Sequence, residues 1–219
     1  MQSKGLPDFL LGLTLMAASL LGGATPLDCS ISVQRGNVLR VLASSNERVR
    51  RLEMLQHEVR EGPCLVALGG QSHLFVPDLQ EKGGLVWLAD AVRREGFRSM
   101  LAAPIEAGIP VKAALSCYSA SPSAFEPPII EAVQELARSM SHTVQIALGK
   151  PRRDVGSEKW SAALKSRAVV DSAVALIISQ DGCSRAEAIM VLQRGARTSG
   201  RPLLEEAGKV IYGKFPDNT

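Results

Sequence analysis

At 219 residues the chain can hold one large domain or two modest ones, and a hydrophobic fraction of 46% is ample for packed cores. The formal net charge of +3 is unevenly placed: from Lys150 onward there are 12 Lys and Arg against 8 Asp and Glu (+4), and before it 13 against 14 (−1). A basic tail on a neutral body suits a polyanion partner. Four scattered cysteines, Cys29, Cys64, Cys117 and Cys183, with no C-x-x-C pair argue against a zinc finger or a disulfide framework.

The run from Phe9 to Leu21 is apolar, follows a single Lys4 and is interrupted by Gly12, Thr14 and Ser19. It is too short for a membrane span, and its front end is too weakly basic for a typical secretory signal. The expectation is a helix docked on the core or on a second chain. After Pro26 the period changes. Cys29 to Val33 alternates, Arg35-Gly36-Asn37 turns and Val38 to Ala43 returns, which predicts a β-hairpin.

Asn46 to Gln56 predicts a charged amphipathic helix. Glu61-Gly-Pro-Cys-Leu gives a turn and a short helical piece, His73 to Val76 a short strand, and Leu85 to Glu95 a helix with Trp87 and Val92 toward a core. Met100 to Ile105 and Val111 to Tyr118 read as two more strands joined through Ala107-Gly108. The natural assembly is α+β, an antiparallel sheet with helices packed on one face.

Glu126 to Leu148 carries Ile130, Val133, Leu136, Met140 and Val144 at three- and four-residue steps. A helix with one such stripe must bury it, on its own sheet or against a partner chain. The expectation is a linker helix that pairs chains into a homodimer. Gly149-Lys-Pro-Arg-Arg-Asp-Val-Gly156 then breaks the pattern. The division expected is 1–148 for the first unit, 149–157 for a hinge and 158–215 for the second.

Beyond the break, Trp160, Leu164, Ala168, Asp171, Val174 and Ile178 form the next stripe. Asp171 is odd in it, since a carboxylate there needs an ion pair or a helix to cap. That helix stops at Asp181-Gly182. Ser184 and Glu187 have the spacing of a capping box for the next helix, with Ala188, Val191 and Leu192 on one face. A last helix starts near Pro202, with Leu203, Ala207, Val210 and Ile211 apolar.

These residues resemble the ANTAR domain, the three-helix RNA-binding module of bacterial antitermination regulators. The resemblance rests on Ser166, Arg167, Val169, Val170, Asp171 and Ala173, then Gly182, Cys183, Ser184, Glu187 and Ala188, then Leu192, Leu203, Glu205 and Ala207. Four positions depart from the family pattern: Ala175, Gln193, Ala196 and Gly200. Each is expected where polar or close backbone contact to RNA would fall.

Upstream, Glu61-Gly-Pro-Cys-Leu, Pro77-Asp78-Leu79, Trp87, Gly96-Phe97-Arg98-Ser99, Ala103-Pro104-Ile105, Ala114-Leu115, Tyr118-Ser119 and Ala124-Phe125 resemble a GAF domain of the kind found before ANTAR modules. The resemblance covers roughly Leu6 to Ala147. It implies a GAF-like antiparallel sheet with flanking helices, a linker helix and a C-terminal all-α three-helix bundle. It also implies an input pocket for an unidentified small molecule, for which Cys64, Trp87 and Phe97 are the candidate residues. The Asn-Lys-x-x-Phe-Asp-Glu signature of cyclic-nucleotide members is absent.

For RNA, phosphates call for Lys and Arg, and unstacked bases call for aromatic or guanidinium planes. The candidates are Lys165, Ser166, Arg167, Arg194, Arg197 and Arg201, with Arg185 and Lys209 beside them; Ser166 reads equally as a helix cap. His57, His73 and His142 are isolated, so no metal role is assigned, and no cofactor is expected. No nucleophile–base pair or phosphate loop is apparent, so no catalysis is expected. The reading is a cytoplasmic regulator that binds RNA stem-loops, with no membrane partner. Its rivals are a helix-turn-helix-like DNA binder and a sensor acting only through protein–protein contact.

Overall fold

The structure is a computed structural model. It describes the backbone of residues 27–70, 72–81, 86–148 and 157–212 and of residues 12, 14 and 18, with side chains except at 86, 142–143, 146–148, 157–168 and 212. Most of the apolar N-terminal run therefore lies outside the described residues. Gly12, Thr14 and Ala18 are helical. Thr14 and Ala18 are buried, and Leu27 N–H donates to the Ala18 carbonyl at 3.1 Å.

Strand β1 (Asp28–Arg35) turns through Gly36-Asn37 into β2 (Val38–Ser44). Gly36 has φ 57, in the region where a side chain is strained. Helices α1 (Glu47–Val59) and α2 (Pro63–Leu68) follow, then β3 (Leu74–Val76), α3 (Val86–Glu95), β4 (Ser99–Ile105) and β5 (Val111–Ser119). Asn46 caps α1 by accepting from Val49 N–H at 3.1 Å. The sheet has order β2-β1-β5-β4-β3, and every neighbouring pair is antiparallel.

Helices cover both faces of this sheet, not one as the sequence predicts. Ile31, Leu101, Ala103, Leu115 and Cys117 point into one core, while Met100, Ala102, Ala114 and Tyr118 point into a second with Leu52, Leu68, Leu88 and Phe97. The central strands are accordingly buried at nearly every position, seven of them consecutive from Ala113 to Ser119. Strands buried on both faces lose the polar–apolar alternation that marks a one-sided sheet.

Helix α4 (Pro127–Leu148) leaves the sheet and is followed by α5 (Ser157–Asp181), α6 (Arg185–Ser199) and α7 (Leu203–Tyr212). Of its two expected burial partners, α4 uses its own chain. Val133, Leu136, Met140 and Val144 are at most 2% exposed, and Ile130 packs beside them. The helix lies against β4 on one side and α5 on the other. One continuous apolar core therefore runs from the sheet through α4 to Val174, Ile178, Leu192, Ala207 and Ile211.

Helix α5 is buried all round from Asp171 to Ile178, more than the single stripe expected, because α4, α6 and α7 all pack on it. Two other expectations are corrected on the neighbouring helices. Val191 is 45% exposed and Leu203 37% exposed, leaving Ala188, Leu192, Ala207 and Ile211 as the buried positions.

Candidate nucleic-acid interface

The C-terminal helices are fixed by local signals that the sequence carries openly. Gly182, at φ 60, closes α5 and donates its N–H to the Ile178 carbonyl at 2.9 Å. The capping box forms: Ser184 N–H donates to Glu187 Oε2 at 2.8 Å, and Ser184 Oγ caps the opening turn of α6. The Ser184 hydrogen bonds hold the Glu187 carboxyl below its ordinary range. Gly200, at φ 65, ends α6, and Arg201 N–H closes the turn on the Ala196 carbonyl at 3.1 Å. At Gly195 a Cβ would meet Glu206 Oε1 at 2.9 Å, so the missing side chain lets α7 approach.

On this frame Arg194 and Arg197 lie on the exposed side of α6, with Arg201 exposed just past its cap. Among the described residues, no ion pair or side-chain hydrogen bond engages these three guanidinium groups. Lys209 is exposed on α7. Lys165, Ser166 and Arg167 fall within α5, but their side chains lie outside the described residues.

Arg185 is different. Its Nε donates to Glu135 of α4 and its Nη2 lies 3.4 Å from Asp171 Oδ1 of α5. The Glu135 carboxylate beside it raises the Arg185 pKa further. Glu135 also pairs with Arg138 at 2.9 Å. The odd carboxylate at Asp171 thus has the ion pair that its place in an apolar stripe demands. Glu135, by contrast, gives no such signal in the sequence, because Arg185, which ties α4 to α6, is 50 residues away.

The four departures sort by burial. Ala175 is 2% exposed and Ala196 8% exposed, so these two face the bundle core and not an RNA surface. Gln193 is exposed, and Gly200 is the helix cap. The expectation that all four sit at the contact surface is corrected for the two alanines.

In the sheet half, Cys64 and Phe97 are 0% and 2% exposed. Arg48 stacks over the Phe97 ring at 4.5 Å. Trp87 is half-buried, with an Nε1 that has no partner among the described residues. An open cleft of about 550 Å³ is lined by other residues, including Leu68, His73, Lys112, Gln134 and Arg138. Among the described residues no helix is long and apolar enough to cross a membrane.

Residues 158–211 match the family model of the ANTAR domain. No curated protein matches the chain. Among solved structures, the GAF3 domain of a Synechocystis sp. PCC6803 protein, in its photoproduct state, is 16% identical with a TM-score of 0.51. That match covers 65% of this chain and 95% of that one. A GAF domain region from Geobacter sulfurreducens PCA is 20% identical with a TM-score of 0.46, over 64% of this chain and 97% of that one. The chain therefore has a GAF–ANTAR architecture, a sheet domain of the GAF fold followed by an ANTAR domain at residues 158–211.

Proposed function

We propose that this protein is a signal-responsive RNA-binding regulator, a transcription antiterminator that acts in the cytoplasm by binding paired stem-loops in leader transcripts, without catalysis of its own. The observation that carries the reading is the exposed Arg194–Arg197–Arg201 group on the ANTAR helices, which has no acidic partner among the described residues. Arg194 and Arg197, three apart, share a helix face and Arg201 follows in the turn; such guanidinium groups can pair with phosphates and can stack on unpaired bases.

The GAF half supplies the input. The cleft beside α4 gives a small molecule a place that touches Arg138, and Arg138 pairs with the Glu135 that holds Arg185. Two chains with one RNA module each suit two hairpins, because linkage raises the effective concentration for the second contact. Since the α4 stripe is used within the chain, such a pairing would engage another surface.

The test is binding of full-length protein to a two-hairpin leader RNA at fixed salt, beside duplex DNA of equal length and the Arg197→Ala variant. Tight hairpin-selective binding is expected, with the variant weaker and its log Kd less steep in log salt by about one phosphate contact. Equal, weak binding to RNA and DNA by both proteins would refute the reading.

A further inference from the structure

The inner polar cluster of the GAF half has the composition and geometry of a metal site. Glu53 and His57 lie four apart on α1, so they share one face of that helix. Gly62, at φ 121, turns the chain so that Cys64 enters α2 opposite them. Cys64 Sγ lies 3.9 Å from His57 Nε2, and His57 Nε2 lies 4.0 Å from Glu53 Oε2. One donor atom from each residue falls within 4.8 Å of the other two.

These separations are too long for good hydrogen bonds. They are close to what a shared ion requires. Zinc-to-ligand distances of about 2.0–2.1 Å for N and O and about 2.3 Å for S set tetrahedral donors roughly 3.3–3.6 Å apart. Closure asks for about half an ångström at the two edges from His57 and for up to about 1.2 Å at the third.

We propose that Glu53, His57 and Cys64 bind a borderline-soft divalent cation of the zinc class, with a fourth position left for water or a small exogenous ligand. The mixed O, N and S donor set selects such an ion over magnesium or calcium, which take oxygen ligands.

A second layer of residues is already in place around the three donors. Tyr118 OH donates to Glu53 Oε1 at 2.6 Å and Ser32 Oγ donates to Glu53 Oε2 at 2.6 Å, so both oxygens are acceptors of a held carboxylate. Gln56 Nε2 donates to Tyr118 OH at 2.8 Å, and Gln56 Oε1 accepts from Cys64 N–H at 3.0 Å. Such outer hydrogen bonds orient metal ligands and tune their basicity. Binding a dication with loss of the thiol proton to solvent would let the Glu53 carboxylate, the Cys64 thiolate and the ion sum to zero charge. His57 also lines the open groove between β2, α1 and α3, which provides a route in.

Chelator-stripped full-length protein, reduced and under anaerobic conditions, is titrated with Co(II) and then Zn(II), with metal content measured by mass spectrometry. The expected result is one ion per chain, visible d–d bands and a near-ultraviolet thiolate-to-cobalt charge-transfer band, all bleached by one equivalent of Zn(II). Cys64→Ala loses the charge-transfer band, while Cys183→Ala and Cys117→Ala keep it. Tyr118→Phe keeps the band but weakens affinity by about 10-fold or more, as removal of an outer hydrogen bond does. Should Cys64→Ala fail to fold by circular dichroism, His57→Gln takes its place, and weakening beyond that of Tyr118→Phe is expected. No charge-transfer band at excess Co(II), a band that survives Cys64→Ala, or one that follows Cys117 or Cys183 would overturn the proposal and leave a hydrogen-bond network only.

Discussion

Arg185→Ala probes the joint between the two halves. The guanidinium bridges Glu135 on α4 and Asp171 on α5, whose side chains are 2% and 9% exposed, while its own is 44% exposed. Removing one partner of a fully buried pair costs about 3–5 kcal/mol, and an exposed pair contributes about 1 kcal/mol or less. This pair lies between those limits. Arg185 is partly hydrated, Glu135 keeps Arg138 at 2.9 Å, and Asp171 keeps a further interaction. The expected loss is therefore about 1–2 kcal/mol.

The assay is urea unfolding followed by circular dichroism and by tryptophan fluorescence. Trp87 lies in the sheet half and Trp160 on α5, so single-tryptophan versions report each half separately. Wild type is expected to unfold with coincident transitions, and Arg185→Ala to lower the midpoint of the Trp160 signal first. A cycle with Glu135→Gln isolates the pair, with an expected coupling of about 1 kcal/mol. If Arg185→Ala costs the same with Glu135 present or replaced, the bridge contributes nothing and the reasoning fails.

Gly62→Ala forces a side chain into φ 121 and puts its Cβ 2.5 Å from Gln56 Oε1, the atom that accepts from Cys64 N–H. A loss of about 2 kcal/mol or more in urea unfolding is expected, and an unchanged midpoint would show that the turn has slack. Glu187→Gln removes the charged member of the capping box. The Glu187 carboxyl is held below its ordinary range by Ser184, so its contribution is complete above the unfolded value of about 4.3 and fades as pH falls through the lower folded value. Wild type is expected to be more stable than the variant at neutral pH and to converge with it in acid; a constant difference across that range would exclude the mechanism.

Local signals made much of the fold legible. Gly36-Asn37 between two alternating runs, the Ser184–Glu187 spacing and the glycine at 182 each act within a few residues, and each forms as read, whereas Asn46 and Gly200 turn out to be helix caps. What escaped depends on distant partners. Met100 to Ile105 is apolar because both sides of β4 are covered, which no single-strand pattern specifies. Ala175 and Ala196 look like lost contact residues until α5 and α6 are packed, when both turn inward. Arg185 reads like Arg194 and Arg197 in composition, yet Glu135, 50 residues away, occupies it. Glu53 and Cys64 meet only because a glycine turn returns the chain beneath α1.

The position of α4 ties these observations together. It precedes the ANTAR match at residues 158–211 and packs on both the sheet and α5. Close-packed interiors do not stretch, so a displacement of α4 at the sheet must either be passed to α5 or be absorbed by breaking contacts between them. Glu135 sits on α4, and the residue it holds opens α6, the helix that also carries Arg194 and Arg197. A displacement of α4 would therefore act on the N-terminus of the helix that presents the exposed Arg194 and Arg197. A packed α4 would couple the two halves more tightly than a flexible linker, because a loose tether connects them without fixing where either one stands.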